Sequence, residues 1–85
     1  MEKEKKAPER VVIEIFGDTY PLRSDEPDHL RDIAAIVDME MKKMARSINS
    51  FDGRKIAVLT ALKLADDYRK LKDDYDEMVA LLDEK

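Results

Sequence analysis

Few side chains in this sequence stand where they could do chemistry. His29 is the only histidine, and Asp25, Asp28 and Asp32 lie within a turn of it. A metal site there would need two or three ligands converging on one point. Acidic residues at the start of a helix instead complement the positive end of its dipole, and that is the expected role. The pairs Asp66-Asp67 and Asp73-Asp74 suggest general acid–base work, because neighbouring carboxylates push each other's pKa apart. Adjacent helical residues point in different directions, however. The spacings 66/70, 69/73, 70/74 and 72/76 each set an acid four residues from a base, the pattern of a solvated, ion-paired helix face. Met39, Met41 and Met44 could form a soft binding groove, but Met41 and Met44 fall on an apolar stripe and are assigned to packing. Tyr68 and Tyr75 could stack on nucleobases, but their heptad positions place them between helices. With no cysteine in the chain, disulfides, thiolate nucleophiles and thiolate metal sites are excluded. The expectation is no catalytic residue, no metal ligand and no cofactor, and therefore not an enzyme.

Eighty-five residues make one domain, and a chain of that size buries only roughly 64% of its unfolded surface. Charged residues make up 42%, with two glycines and three prolines, so long regular elements are expected and few loops. Such a chain with no covalent staple is best explained as an obligate oligomer. The net charge of −4 disfavours nucleic acid, whose binding rests on a basic surface. The negative balance lies almost wholly in residues 11–53. No apolar run approaches the ~20 residues that span a bilayer, and Met-Glu-Lys-Glu-Lys-Lys lacks the apolar region of a signal peptide. A cytosolic protein with no membrane insertion is expected.

The elements follow from pattern. Residues 1–10 are charged, contain Pro8 and show no apolar period, so they read as a disordered arm. Val11-Val12-Ile13-Glu14-Ile15-Phe16 is β-branched and aromatic, and Gly17-Asp18 suits a two-residue hairpin turn. That turn would set Phe16 opposite Thr19, Ile15 opposite Tyr20 and Ile13 opposite Leu22, with an apolar face of Ile13, Ile15, Tyr20 and Leu22. A lone hairpin is barely stable, so this face must lie on helices. Ser24-Asp25-Glu26-Pro27 signals a helix start. Leu30, Ala34, Val37, Met41, Met44 and Ile48 then form one stripe, widened by Ile33 and Ile36, and the helix should end near Ser47. Asp52 is a good N-cap for a second helix over about 54–83, some 45 Å long at 1.5 Å per residue. Its first part, Ile56-Ala57-Val58-Leu59-Thr60-Ala61-Leu62-Lys63-Leu64-Ala65, holds eight apolar residues in ten and is expected to be buried on nearly every side. Ala61, Leu64, Tyr68, Leu71, Tyr75, Met78 and Leu82 continue at heptad spacing. The fold class is α+β and mostly helical: a hairpin packed on two long helices, the second continuing into a short coiled coil.

Three stretches together resemble the ZapA cell-division family: Val11-Val12-Ile13-Glu14-Ile15-Phe16-Gly17-Asp18-Thr19-Tyr20, Ile33-Ala34-Ala35-Ile36-Val37-Asp38 and Arg54-Lys55-Ile56-Ala57-Val58-Leu59-Thr60-Ala61-Leu62. Their order and spacing carry the likeness, which covers residues 11–78. The resemblance implies a hairpin-and-two-helix head that dimerises, a C-terminal coiled coil, and binding to the tubulin-like division protein FtsZ. It also implies that two dimers can join through the coiled coil and that the assembly cross-links FtsZ filaments. Longer family members carry several further heptads, whereas this sequence stops at Lys85 and looks like the short form. A dimer is therefore expected, with a tetramer only as concentration rises.

The expected layout is an arm over 1–10, a dimerisation head over 11–65 and a coiled-coil tail over 66–85. Self-association is assigned to Ile56, Leu59, Ala61, Leu62, Leu64, Tyr68, Leu71, Tyr75, Met78 and Leu82. The partner surface is assigned to Asp18, Arg23 and Arg54. The leading function is a cytoplasmic adaptor at the mid-cell division site that bundles FtsZ filaments. The alternative is a helical coiled-coil adaptor or regulator of another cytosolic complex.

Overall fold

The computed structural model describes residues 7–82. Strands β1 (Glu9–Ile15) and β2 (Asp18–Ser24) form an antiparallel hairpin, followed by helices α1 (Pro27–Ile48) and α2 (Gly53–Leu82). The α+β, mostly helical architecture is the one expected from the pattern. Residues 1–6 of the expected arm lie outside the described residues, and Glu9 and Arg10 are not arm but paired strand.

The hairpin register differs from the expected one. Ile15 pairs with Asp18, Glu14 with Thr19, Ile13 with Tyr20 and Val11 with Leu22, so the two turn residues are Phe16 and Gly17. Their φ values of 51° and 86° are the paired positive values of a type I′ turn, whose twist matches that of the strands. A phenylalanine is a poor choice for positive φ, which is why Gly17-Asp18 looked the better turn. The backbone N–H of Phe16 donates to Asp38 Oδ1 at 2.8 Å, a contact from α1 that holds the turn in place. The pairing is displaced by two residues, and side chains alternate with a period of two. The expected apolar face therefore survives, with Val11 and Asp18 added to it.

Hydrogen-bonded and open pairs alternate outward from the turn, which places the Val12–Pro21 pair at an open position. Pro21 thus loses no ladder bond, and its missing N–H falls on the outer edge of β2, where it blocks strand addition.

α1 begins with Pro27 at its first turn and no side-chain cap. The Ser24 hydroxyl instead accepts the N–H of Glu26, folding the link from β2 into a tight corner. The expected stripe faces inward: Ala34 and Met41 are buried, and Leu30, Val37, Met44 and Ile48 half-buried. Ile33 and Ile36, expected to widen it, are exposed. The helix ends at Asn49 in the left-handed conformation, its N–H on the Ala45 carbonyl. Asp52 caps α2 as anticipated, its Oδ1 accepting the N–H groups of Arg54 at 3.1 Å and Lys55 at 3.3 Å.

Val11, Ile13 and Ala34 form the centre of the core, with Ile15 and Leu30 against it. Met41 and Ile56 extend it toward α2, where Ile56 is 0% exposed and Thr60 2%. Lys63 lies 3.4 Å from Glu40 of α1, and beyond it only Leu64 and Val79 are less than exposed over the described remainder of α2. The single chain exposes 7342 Å², where a compact monomer of 9.9 kDa would expose about 5,200 Å². Its radius of gyration is 17.3 Å against about 12 Å for a compact chain of this length.

Candidate interaction surfaces

The first surface is the free side of α2. Of the ten residues assigned to self-association, Ile56 lies in the core of its own chain and cannot serve on a docking surface. Leu59 and Leu64 are half-buried, and Ala61, Leu62, Tyr68, Leu71, Tyr75, Met78 and Leu82 are exposed. The first part of α2 is therefore not covered on nearly every side within one chain: Val58 and Leu62 are more than half exposed. A helix long enough to leave the core carries its apolar row beyond it, and nothing among the described residues turns back to meet that row.

Ion pairs flank this row. Lys63 reaches Asp67 at 2.8 Å, Lys70 reaches Asp66 at 3.0 Å, Arg69 reaches Asp73 at 3.4 Å and Lys72 reaches Asp76 at 3.0 Å. The expected 70/74 pair does not form, because Lys70 turns toward Asp66. The hydrogen bond from Lys63 lowers the pKa of Asp67 and that to Asp67 raises the pKa of Lys63; Asp66 likewise raises that of Lys70. These carboxylates are committed to neighbouring cations on an exposed face. Among the described residues no group of three or more His, Asp or Glu is arranged to hold a metal ion. Asp28, beside His29 in sequence, pairs with Arg31 at 3.0 Å.

The second surface is a groove of about 790 Å³ under β2. Ile13, Tyr20 and Leu22 of the hairpin form its roof, Val37 and Met41 of α1 one wall, and Gly53, Arg54 and Ala57 of α2 the other. It exists because α1 packs beneath β1: Val11 and Ile13 are buried, while Tyr20 and Leu22 on the neighbouring strand stay about two-fifths exposed. Two of the residues assigned to a partner, Asp18 and Arg54, meet at this groove. Arg23 does not. It stands opposite Arg10 on the outer sheet face, in a separate depression of about 410 Å³ beside Pro21. Asp18, Arg23 and Arg54 form no ion pair among the described residues.

Three residues were not singled out by pattern. Asp38 holds both the Phe16 N–H and, at 2.9 Å, Lys42, and these hydrogen bonds, Lys42 first, lower its pKa. Glu40 is largely buried between Lys43 and Lys63, its Oε1 at ion-pair distance from Lys63 but without a hydrogen bond. Phe51, between the helices, is 93% exposed. Asp38 had a signal, a charged residue next to an apolar stripe, whereas Phe51 read only as part of a loop.

With this geometry in view, the model of the family described as "Cell division protein ZapA" matches residues 11–85. The chain belongs to this family. It is 38% identical over 74 residues to the cell division protein ZapA of Geobacillus sp. (strain WCH70), covering 86% of this chain and 85% of the relative. It is 35% identical to that of Bacillus mycoides (strain KBAB4) over 86 residues, covering 100% and 97%. Among solved structures it is similar to the ZapA mutant dimer from Geobacillus stearothermophilus, with a TM-score of 0.72, 33% identity and 99% of each chain covered. The cell-division family is thus shown, and the fold of this chain is that of a protein solved as a dimer. No helix among the described residues is long and apolar enough to cross a membrane.

Proposed function

We propose that the chain is a non-enzymatic cell-division adaptor that pairs with a second copy of itself, binds FtsZ filaments and bundles them. It acts in the cytoplasm at the mid-cell division site, and it needs no cofactor. The observation that carries the reading is the apolar row of α2, Ala61, Leu62, Leu64, Tyr68, Leu71, Tyr75, Met78 and Leu82, exposed at every position but the half-buried Leu64. A second copy covers that row at once along its length, and a symmetric pair carries two heads. Two heads are the minimum for a cross-link, because each can hold a different filament and weak single contacts then add by avidity. The solved relative titled as a dimer supports self-association, and membership of the family supports a role in division.

Within this reading the head comprises the hairpin, α1 and α2 to about residue 65, and the tail begins at residue 66; residues 83–85 of the expected tail lie outside the described residues. Asp18 and Arg54 at the groove, and Arg23 on the outer sheet face, are the head charges offered to the filament. The test is sedimentation of purified FtsZ with GTP, with and without the chain. More polymer should pellet when it is present, and electron microscopy should show bundles. Unchanged pelleting, with the chain left in the supernatant, would sink FtsZ as the partner and favour an adaptor of another cytosolic complex.

A further inference from the structure

We infer that Phe51 is the reciprocal lock of the self-association proposed above: the ring of each copy seats in the partner's groove under β2. Phe51 does not hang on a loose loop. Before it, the Ser50 N–H donates to the Ala45 carbonyl. After it, the Asp52 N–H donates to the Ser50 hydroxyl and the Asp52 carboxylate caps α2. The backbone is thus fixed on both sides while the ring stays 93% exposed. A rigid aromatic presented to solvent is the cheapest anchor in entropy, and burying one removes 150–250 Å² from water.

The groove supplies what such an anchor lacks. It has room for more than one side chain, its roof is the half-open Tyr20 and Leu22, and Phe51 of the same chain does not line it. Position follows from symmetry. Ala57, on the groove wall, begins the heptad row that runs on through Ala61, Leu64, Tyr68, Leu71 and Tyr75. Two α2 helices laid side by side along this row, running the same way, bring residues of equal height together. The start of one α2, with Phe51 just before it, then stands at the height of the partner's Gly53–Ala57, where the groove opens. A two-fold axis makes the contact twice. The apolar lining of the groove is therefore taken by a second copy, and the charged residues at its rim, Asp18 and Arg54, are left to the filament.

The chain has no cysteine, so single introduced cysteines report without background. Phe51→Cys chains and Tyr20→Cys chains carrying different mass tags are mixed, exchanged and oxidised. The expected product is the mixed disulfide, formed at least tenfold faster than with His29→Cys, whose site is exposed at the far end of α1. In parallel, Phe51→Ser should raise the dimer dissociation constant at least tenfold in sedimentation, and Phe51→Leu by no more than about threefold. A dimeric mass with no mixed disulfide overturns the lock and leaves self-association standing. A monomeric mass at every concentration overturns both. A Phe51→Ser dimer of unchanged affinity that no longer pellets with FtsZ overturns the lock by assigning the ring to the filament.

Discussion

The backbone N–H of Phe16 donates to Asp38 Oδ1 across 22 residues of sequence, and it joins the tip of the hairpin to the middle of α1. Asp38 also holds Lys42, so one carboxylate positions both the turn and its own helix. Asp38→Ala should lower the thermal midpoint more than Asp38→Asn, because the asparagine carbonyl can still accept the Phe16 N–H but cannot pair with Lys42. The pKa of Asp38 is lowered from its ordinary value of 3.8. Its contribution is therefore full above that value and is lost as pH falls through the lower folded pKa. Unfolding curves at pH 7 and near pH 3 check this: the gap between wild type and Asp38→Asn should narrow at the acid end.

Gly17 should tolerate no side chain, although there is space for one. Nothing lies within 4 Å of a Cβ built on it, and its φ is +86°. The loss in Gly17→Ala is thus purely conformational, about 1–2 kcal/mol. Urea unfolding should show a lower midpoint with an unchanged slope. A neutral substitution would contradict the Phe16–Gly17 turn.

The misplaced turn shows what pattern can and cannot decide. Alternation placed Ile13, Ile15, Tyr20 and Leu22 on one face correctly, since any even displacement of the register preserves it. The turn itself depended on Asp38, a residue far along the chain. Helix limits were legible because Pro27, Asp52 and the 3-4 spacing of α1 act locally. Ile56 and Leu62 were not separable by sequence: both are apolar residues of one helix, and only the position of α1 decides that Ile56 is core and Leu62 is open. The same holds for the site, where Asp18 and Arg54 line one groove and Arg23 lies in another depression.

That separation is testable. Ile56→Ala removes a side chain that is 0% exposed and should destabilise each chain by about 2–5 kcal/mol. Leu62→Glu replaces a side chain that is 62% exposed, so little is lost inside the chain. It should weaken self-association instead, and analytical ultracentrifugation should show a shift toward monomer with helical circular dichroism retained. Equal loss of fold in both variants would show that Leu62 belongs to the same core.

Charge reversal should divide the head into two faces. Arg54→Glu alters the groove rim and Arg23→Glu the outer sheet face. Both should reduce co-sedimentation with FtsZ while dimer mass stays the same, and wild-type binding should weaken as added salt shortens the screening length to about 3 Å at 1 M. If only Arg23→Glu reduces pelleting, the filament contacts the outer sheet face alone.

The tail sets how far assembly goes. Tyr68, Leu71, Tyr75, Met78 and Leu82 are the exposed row beyond the head, and each contributes about 1.5–3 kcal/mol at best when buried. In the proposed pairing of two α2 helices much of that is already used, because the same side chains would face the first partner. Joining two such pairs then loses translational and rotational freedom at roughly 4–15 kcal/mol. The flanking ion pairs at 66/70, 69/73 and 72/76 are satisfied within one helix and add little to a new contact. The surplus for a tetramer is therefore small. Light scattering over a dilution series should give a dimer at micromolar concentration and a tetramer only above it. Tyr75→Ala should shift that second step to higher concentration while leaving the head fold unchanged. A tetramer that persists at nanomolar concentration would mean that the five-residue row joins two dimers more strongly than its exposed area allows.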